Sequence, residues 1–302
     1  MYRVLLYYKY VPIENPEAFV AEHKALCSRL GLKGRVLIAH EGLNGTLSGS
    51  VEACEEYKQW ILSDSRFAHM AFKEHDTAVL PFPRLRVVVR PEVVTLGVKD
   101  EGTLPYKAGK HLTPEEWHAL AQEDDVVILD GRNMYEARIG KFKNAITPDI
   151  QNFREFPQWV KENKEKLNGK KVLMYCTGGI RCEKASAVVK ETGIEDVYQL
   201  NGGIINYGKH IPDGLWEGSC YVFDARNKVQ VNDDAHHTII SKCDFCKELS
   251  DQYVNCANAA CNKMMILCAS CREKSNDACS AECAQHNRRG VMKPWLIDKV
   301  LA

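Results

Sequence analysis

The segment of residues 172–186 constrains this chain most, because it joins an apolar run to a helical pattern through a glycine-containing loop. The apolar run predicts a buried strand, and Cys176 follows at its carboxyl end. Gly178 and Gly179 let backbone N–H groups point into the loop, and Arg181 adds a permanent positive charge. Together with the N-terminus of the next helix, these groups lower the pKa of a thiol. We therefore predict that Cys176 is an activated nucleophile.

Strands alternate with helices around this segment, which predicts a parallel α/β domain. Its predicted strands cover residues 126–130, 140–146, 172–175 and 197–200, and its predicted helices residues 113–122, 153–167 and 183–191. Ligands of such folds bind at the carboxyl ends of the strands. Asp130 and Arg132 lie at one such end, and we interpret them as an ion pair that braces the cysteine loop. Cys182 either resolves a disulfide or persulfide on Cys176 or only faces the inner side of its helix.

The first 98 residues have a different pattern, with helices between short strands. The predicted strands cover residues 2–8, 35–39, 45–49, 70–72 and 85–89, and the predicted helices residues 16–30 and 51–62. The order β-α-β-β-α-β predicts a ferredoxin-like (acylphosphatase-like) α+β domain in residues 1–98. Glycines and a proline interrupt residues 99–114, which we interpret as a linker.

Residues 220–302 are rich in cysteine. The closely spaced pairs are Cys243 and Cys246, Cys256 and Cys261, Cys268 and Cys271, and Cys279 and Cys283. Eight thiolates can hold two tetrahedral zinc ions, and His286 could replace one ligand. A cross-braced pairing, in which the first and third pairs share a metal, and a sequential pairing fit the spacing equally well. The alternatives are a reduced cluster without metal, redox-active pairs and, less favoured, an iron–sulfur cluster.

The composition narrows the class of protein. With 40 basic and 40 acidic residues the chain has no overall positive field, so an RNA partner would need a local patch. No apolar run reaches the roughly 20 residues of a membrane span, and the N-terminus lacks signal-peptide features. We therefore expect a cytoplasmic protein without a membrane partner, in which the 13 cysteines serve metal binding or catalysis rather than disulfides. No nucleotide cofactor is evident, and the oligomeric state stays open.

Three motifs of the central region resemble those of a rhodanese domain. They are Asp130-x-Arg132-Asn133-x-Tyr135-Glu136, the loop from Cys176 to Arg181, and Leu200-Asn-Gly-Gly203. The resemblance covers residues 115–219 and implies a persulfide on the loop cysteine. Related phosphatases have one more residue in this loop, to fit a tetrahedral phosphate. The shorter loop fits a single additional sulfur atom, so phosphatase activity is the weaker interpretation.

The chain as a whole resembles the bacterial tRNA uridine hydroxylase family. The resemblance depends on residues 41–49, which alone would predict only a glycine-rich hairpin turn, and on the cysteine-rich tail. Members of that family make 5-hydroxyuridine at the wobble position, which implies dioxygen as co-substrate and the anticodon loop of tRNA as partner. Single-stranded loops are read by stacking and by base edges. The candidate contacts are Arg35, His40, Asn44, Arg84 and Arg86, with Tyr7, Tyr8 and Phe82 as stacking surfaces.

Three functions compete at this point. The first is an RNA-modifying oxygenase, in which Cys176 acts as nucleophile or sulfur carrier and the uracil 5-carbon becomes electron-rich enough to attack an oxidised partner. The second is a generic sulfurtransferase that passes persulfide sulfur from Cys176 to thiols or cyanide. The third is a non-catalytic scaffold for RNA or protein, with the zinc tail as docking element. Lys184 is interpreted as solvated or as a contact for an RNA phosphate.

Overall fold

The structure is a computed structural model that describes residues 1–98 and 104–286. The chain divides into two compact units, the first made of residues 1–134 and 144–211 and the second of residues 135–143 together with the part that follows residue 211. The second unit thus includes residues 135–143 and 212–219 of the segment predicted to be rhodanese-like. The domain boundaries that the sequence indicates stay a prediction. Among the described residues, none of the helices combines the length and apolarity needed to cross a bilayer.

The N-terminal part of the first unit is a five-stranded sheet with two helices. Its elements are β1 (Tyr2–Tyr10), α1 (Pro16–Arg29), β2 (Lys33–Ala39), β3 (Gly42–Ser50), α2 (Val51–Ser63), β4 (Phe72–Thr77) and β5 (Leu85–Val89). The strand order is β4-β1-β3-β2-β5, with antiparallel neighbours except for the parallel pair β2 and β5. This is the ferredoxin-like arrangement, extended at one edge by β5.

The two faces of this sheet have different roles. Leu5, Tyr7, Val36 and Val87 are buried with α1 and α2 in one hydrophobic cluster. Because side chains alternate along a strand, the neighbouring residues point to the opposite face. We call this second face the open face; it carries Leu6, Tyr8, Tyr10 and Lys73, with Arg35, Arg86 and Arg90 on β2 and β5 and at the end of β5. Tyr7 faces the helices and its hydroxyl contacts that of Tyr57, so the prediction that Tyr7 stacks on RNA is wrong.

The remainder of the first unit is a parallel α/β layer. Its elements are β6 (Lys110–Leu112), α3 (Pro114–Leu120), β7 (Val126–Asp130), α5 (Phe156–Glu162), β9 (Lys171–Tyr175), α6 (Ile180–Glu191), β10 (Val197–Leu200) and α7 (Gly203–His210); the short α4 (Met134–Ala137) and β8 (Gly140–Phe142) precede α5 in the chain. The strand order β6-β10-β9-β7 is parallel throughout. The prediction of a parallel sheet with Cys176 at the end of a central strand is confirmed.

Several element boundaries differ from the sequence-based prediction. The helix predicted over residues 153–167 is divided into α5 and two short 3-10 turns, because Pro157 starts a new helix and Asn163 ends it. The segment predicted as a linker supplies the edge strand β6. The strand predicted at residues 70–72 lies at 72–77, where polar residues of an edge strand hide the apolar pattern. The strand predicted over 140–146 extends only over β8 and joins the second unit.

In the second unit, β8 pairs with β11 (Trp216–Tyr221), which also pairs with β12 (Lys228–Gln230). The hairpin of β13 (Tyr253–Asn255) and β14 (Met264–Ile266) precedes α8 (Ala269–Ser275) and α9 (Ala281–Gln285). The segment 135–143 is held to this unit by an ion pair between Arg138 and Asp244, with 2.6 Å between Nη2 and Oδ1. The second unit thus has little regular secondary structure, and its core contains several of the cysteine side chains.

Candidate active site

Cys176 lies where β9 ends and α6 begins. The backbone N–H of Gly179 donates to Sγ of Cys176 over 3.1 Å. Gly179 has a φ of +100°, a left-handed conformation that favours glycine, and it caps α6. The helix therefore starts at Ile180, three residues earlier than predicted, and Arg181 and Cys182 belong to its first turn. The sequence order of strand, cysteine, glycine loop and helix thus folds into a ring of donors around the sulfur.

The environment of Cys176 lowers the pKa of its thiol. Burial acts in the opposite direction, since the residue has no exposed surface. A hydrogen bond from the Cys182 thiol, the charge of Arg181 and the backbone N–H groups of both residues outweigh it and lower the pKa to about 5. The pKa of Cys182 is raised well above its usual value by burial and by its bond to Cys176. Cys182 therefore remains a thiol that donates to a thiolate.

The ionisation of Cys176 can be measured directly. We expect its alkylation rate constant with iodoacetamide to rise around pH 5 and to level off above it, because only the thiolate reacts. An ordinary cysteine would show this midpoint near about 8.5. Peptide mass spectrometry after quenching at each pH measures the rate at this cysteine alone. Cys182→Ala removes a donor and is expected to raise the midpoint; a wild-type midpoint near that of free cysteine would contradict the assignment.

Neighbouring segments hold the loop in place. Arg132 and Asp130 form the predicted ion pair, with 2.6 Å between Nη2 and Oδ2, and both are fully buried. The Tyr175 hydroxyl donates to the same Asp130 carboxylate over 2.7 Å, so the pair is tied to the strand that carries Cys176. The N–H of Ile204 at the start of α7 donates to the Cys176 carbonyl over 3.0 Å. Asp130 and Arg132 thus lie where they can brace the loop.

The open face of the N-terminal sheet covers the loop. A Cβ on Gly178 would lie 2.8 Å from Cδ2 of Leu6, and one on Gly179 would lie 2.9 Å from the Tyr8 hydroxyl. A side chain at either glycine would displace Leu6 or Tyr8, and Gly179 in addition adopts the left-handed conformation of the turn. Since Cys176 has no exposed surface, a substrate reaches it only if covering side chains such as Leu6 and Tyr8 move.

Glu183 connects the covering sheet to the loop. Its carboxylate accepts from the Tyr8 hydroxyl at 2.9 Å and from Gln199 Nε2 at 3.1 Å, and it lies 3.0 Å from His111 Nε2. The hydrogen bond with Glu183 raises the pKa of His111. These residues carry no joint signal in the sequence, because strands and helices far apart in the chain bring them together. Only the place of Glu183 in the first turn of α6 was a local signal.

Lys184 is buried rather than solvated. Its ammonium lies 2.8 Å from Glu41 Oε2 and 2.8 Å from Glu92 Oε2, and only 2% of the residue is exposed. The Glu41 carboxylate also accepts from the N–H of Val93 over 2.8 Å. The interpretation of Lys184 as a phosphate contact is therefore wrong, because both carboxylates already neutralise it. Glu41, the first residue of the motif at 41–49, instead ties β3 and the segment after β5 to α6.

The predicted tRNA contacts do not form one group. Arg35, Arg84 and Arg86 are exposed, and Arg35 and Arg86 are paired across β2 and β5. Burial and the charges of Arg86 and Arg90 lower the pKa of Arg35, so three guanidinium groups lie near one another. His40 and Asn44 differ, because His40 Nδ1 is bonded to the carbonyl of Ile13 and the Asn44 amide donates to that of Val93. These two side chains hold loops together within the unit.

The eight tail cysteines form two groups of four. The groups are Cys243, Cys246, Cys268 and Cys271, and Cys256, Cys261, Cys279 and Cys283, and within each the sulfur atoms lie within 4.8 Å of one another. All are free thiols. A tetrahedral zinc site with Zn–S bonds of about 2.3 Å requires sulfur atoms about 3.8 Å apart, and the observed separations of 3.5 to 3.6 Å fit it. The arrangement is the cross-braced one, and His286 belongs to neither group.

Three protein families match successive parts of the chain. A UPF0176 acylphosphatase like domain matches residues 2–93, a rhodanese-like domain residues 113–210, and a rhodanase C-terminal region residues 217–284. The predicted fold class is thereby confirmed: an acylphosphatase-like domain, a rhodanese domain with a parallel sheet, and a cysteine-rich C-terminal region. A solved rhodanese-like domain from Anabaena is 21% identical, covering 36% of this chain and 78% of that one with a TM-score of 0.31, too low to support an argument.

Curated relatives match nearly the full length. A Bacillus pumilus protein is 47% identical over 294 residues, which cover 97% of this chain and 91% of the relative. A Bacillus thuringiensis protein is 49% identical over 304 residues, which cover 100% of this chain and 95% of the relative. Both are named tRNA uridine(34) hydroxylase. The chain, with its buried loop cysteine between an acylphosphatase-like sheet and a rhodanese helix, belongs to the tRNA uridine(34) hydroxylase family.

Proposed function

We propose that this chain hydroxylates uridine 34 in the anticodon loop of tRNA to 5-hydroxyuridine, with dioxygen as co-substrate and Cys176 as the catalytic thiol. The observation that carries the proposal is the buried Cys176 sulfur, which accepts from the Gly179 N–H and lies beneath Leu6 and Tyr8 of the open face. The names of relatives at 47% and 49% identity support the substrate and the reaction.

In the proposed mechanism the thiolate of Cys176 adds to C6 of the uracil ring. The S–C6 bond forms while the C5–C6 double bond opens, and its electron pair moves through C5 and C4 to the O4 oxygen. The resulting enolate makes C5 nucleophilic, so that C5 can attack dioxygen. Reduction of the second oxygen atom to water consumes two electrons and two protons, which we assign to two molecules of an added thiol that become a disulfide. Loss of the C5 proton and departure of the thiolate restore the ring.

The residues around the sulfur have defined tasks in this scheme. The backbone N–H of Gly179 and the N–H and charge of Arg181 stabilise the thiolate before attack and again when it leaves, while Gly178 leaves room for Leu6. Cys182 supplies a hydrogen bond to the same sulfur, which is a better account of its burial and raised pKa than a role as resolving nucleophile. Asp130 and Arg132 act as positioning residues through Tyr175.

Sulfur transfer is a second candidate, because the rhodanese-like match and the short loop fit a persulfide on Cys176. One experiment separates the two. The purified protein is incubated with an anticodon stem-loop containing U34, a thiol reductant and isotopically labelled dioxygen, and the nucleosides are analysed by mass spectrometry. Labelled 5-hydroxyuridine supports the hydroxylase. Absence of that product together with thiocyanate formation from thiosulfate and cyanide would establish sulfur transfer instead.

We propose further that each group of four tail cysteines holds one zinc ion with a structural role. Each group supplies four cysteine sulfur atoms and leaves no coordination position for water, which is typical of structural zinc sites. When bound, zinc would keep these thiolates deprotonated and join the β13–β14 hairpin to α8 and α9. Cys243, Cys246, Cys268 and Cys271 would hold one ion, and Cys256, Cys261, Cys279 and Cys283 the other.

We propose that tRNA phosphates bind at the arginines of the open face, with Arg90 added to the predicted set. Among the described residues, Arg35, Arg84 and Arg86 form no ion pair, so their charges are available to an anion.

The double substitution Arg35→Gln and Arg86→Gln is expected to weaken stem-loop binding. It is also expected to lower the slope of log affinity against log salt by about 1 to 2, since each lost phosphate contact contributes about 0.7. Anisotropy titrations at several salt concentrations measure it. Arg29→Gln, on α1 and paired with Glu56, is the control, and an equal slope in both proteins would contradict the proposal.

A further inference from the structure

Two polar side chains of the open face lie next to the cysteine loop and have no role in the mechanism so far. Lys73 on β4 pairs in register with Leu6 on β1, and Tyr10 lies on the same face of β1 as Leu6 and Tyr8. Leu6 and Tyr8 are the residues that approach Gly178 and Gly179. The sheet therefore places the Lys73 ammonium and the Tyr10 hydroxyl on the open face, where it covers the cysteine loop.

The ammonium of Lys73 has no ion-pair partner among the described residues. Its Nζ lies 4.8 Å from the centroid of the Tyr8 ring. The charged groups that face it come from three elements: the Cys176 thiolate from the loop, Glu183 from α6 and Lys209 from α7. Burial dominates these charges and lowers the pKa of Lys73 to about 8. Because the Lys73 ammonium is shielded from solvent and has no salt bridge, its N–H groups are available as donors to a ligand.

The hydroxyl of Tyr10 is a second donor of this kind. It is shielded from solvent and makes no hydrogen bond within residues 1–98 and 104–286. Buried hydroxyl groups in proteins almost always have a partner, because an unsatisfied one costs free energy. Burial and the nearby Glu41, Glu183 and Cys176 raise its pKa well above the usual value, so it stays protonated. The open face thus offers an unsatisfied hydroxyl and an ammonium without an ion pair beside the cysteine loop.

We propose that Lys73 and Tyr10 form a base-recognition subsite that donates to the carbonyl oxygens of the target base, with Lys73 at O4, and so selects uracil over cytosine. The inference rests on the proposed function and deepens it. Uracil presents an acceptor at position 4, whereas cytosine presents an amino group that can only donate. An ammonium has three donors and no acceptor. It therefore donates to O4 of uracil, whereas with cytosine the ammonium and the 4-amino group would be two donors facing each other. Sites with buried polar groups reject a mismatched ligand strongly for this reason.

Binding measurements with two stem-loops that differ only in U34 or C34 test the subsite without turnover. We expect the wild-type protein to prefer U34 by about 10- to 100-fold, as a hydrogen bond to a charged group allows. Lys73→Gln is expected to reduce this ratio to near one, because an amide both donates and accepts. Lys73→Arg keeps donors only and is expected to retain the preference. Tyr10→Phe is expected to lower U34 affinity several-fold.

The controls lie outside the subsite. Lys24→Gln removes an exposed lysine of α1, and Tyr2→Phe removes a hydroxyl from the same face of β1, about 26 Å along the strand from Tyr10. Both are expected to bind like the wild type. Circular dichroism excludes unfolding, and the retained preference of Lys73→Arg does so independently.

The alternative is that Lys73 serves only as a counter-charge for Cys176. Lys73→Gln would then weaken U34 and C34 binding equally, with an unchanged ratio, and would raise the midpoint of Cys176 alkylation. That result would overturn the subsite.

The reaction and the base recognition can fail separately. If the wild type prefers U34 through Lys73 but forms no 5-hydroxyuridine, the proposed reaction fails while base recognition stands. If it hydroxylates U34 with equal affinity for C34, recognition fails while the reaction stands.

Discussion

Replacing Cys176 with serine is expected to abolish the formation of 5-hydroxyuridine, with a loss in kcat of at least about 1,000-fold. The donors around the sulfur stabilise a thiolate, whereas a serine hydroxyl in the same place stays protonated and cannot add to the uracil ring. The measurement is the rate of labelled product from a U34 stem-loop under saturating substrate. The affinity for the stem-loop is expected to change little, because the sulfur takes part in the reaction and does not contribute to tRNA binding.

Cys54→Ser is the matched control for this variant. Cys54 is another fully buried cysteine of the first unit, but burial raises the pKa of its thiol to about 11, and it lies on the core-facing side of α2. Its replacement is expected to leave kcat within about twofold, since no catalytic group contacts it. Activity above a tenth of the wild-type rate in Cys176→Ser would show that the thiol is not the nucleophile, and the loop would then have only a binding role.

Removing a tail cysteine is expected to cost one metal ion and most of the stability of the second unit. Structural zinc supplies about 10 to 16 kcal/mol to the folding of small domains, and the β13–β14 hairpin has too few apolar residues to fold without it. Elemental analysis is expected to find two zinc ions per wild-type chain and one in Cys271→Ser. Calorimetry is expected to show the second unit of that variant melting at a much lower temperature. Cys220→Ser, a buried cysteine outside both groups, is the control.

Double variants test the cross-braced pairing itself. Cys246→Ser with Cys268→Ser removes two ligands of one group, so one zinc ion is expected to remain. Cys246→Ser with Cys261→Ser removes one ligand from each group, and both ions are expected to be lost. Sequential pairing predicts the opposite outcome for the two proteins. A wild-type protein without zinc would end the metal assignment altogether.

Much of the fold followed from local patterns. The strands at 85–89, 126–130 and 197–200 coincide with the predicted ranges, because segments rich in valine and leucine favour strands. Pro16 after Asn15 predicted the start of α1, where the Asn15 side chain caps the helix. The edge strand β4 was misplaced, since its sequence of Phe, Lys, Glu, His, Asp and Thr carries no apolar alternation.

By itself the sequence determined the chemistry of the loop, since Cys176, Gly178, Gly179 and Arg181 lie within six consecutive residues and strand and helix signals flank them. It also determined that eight tail cysteines occur in four pairs. Only the tertiary structure decided which pairs share a site, because spacing along the chain does not fix how a hairpin folds back. Likewise only the structure placed Lys73 and Tyr10 near Cys176, more than 100 residues away in the chain, because sheet register and the packing of the open face on α6 carry no local sequence signal.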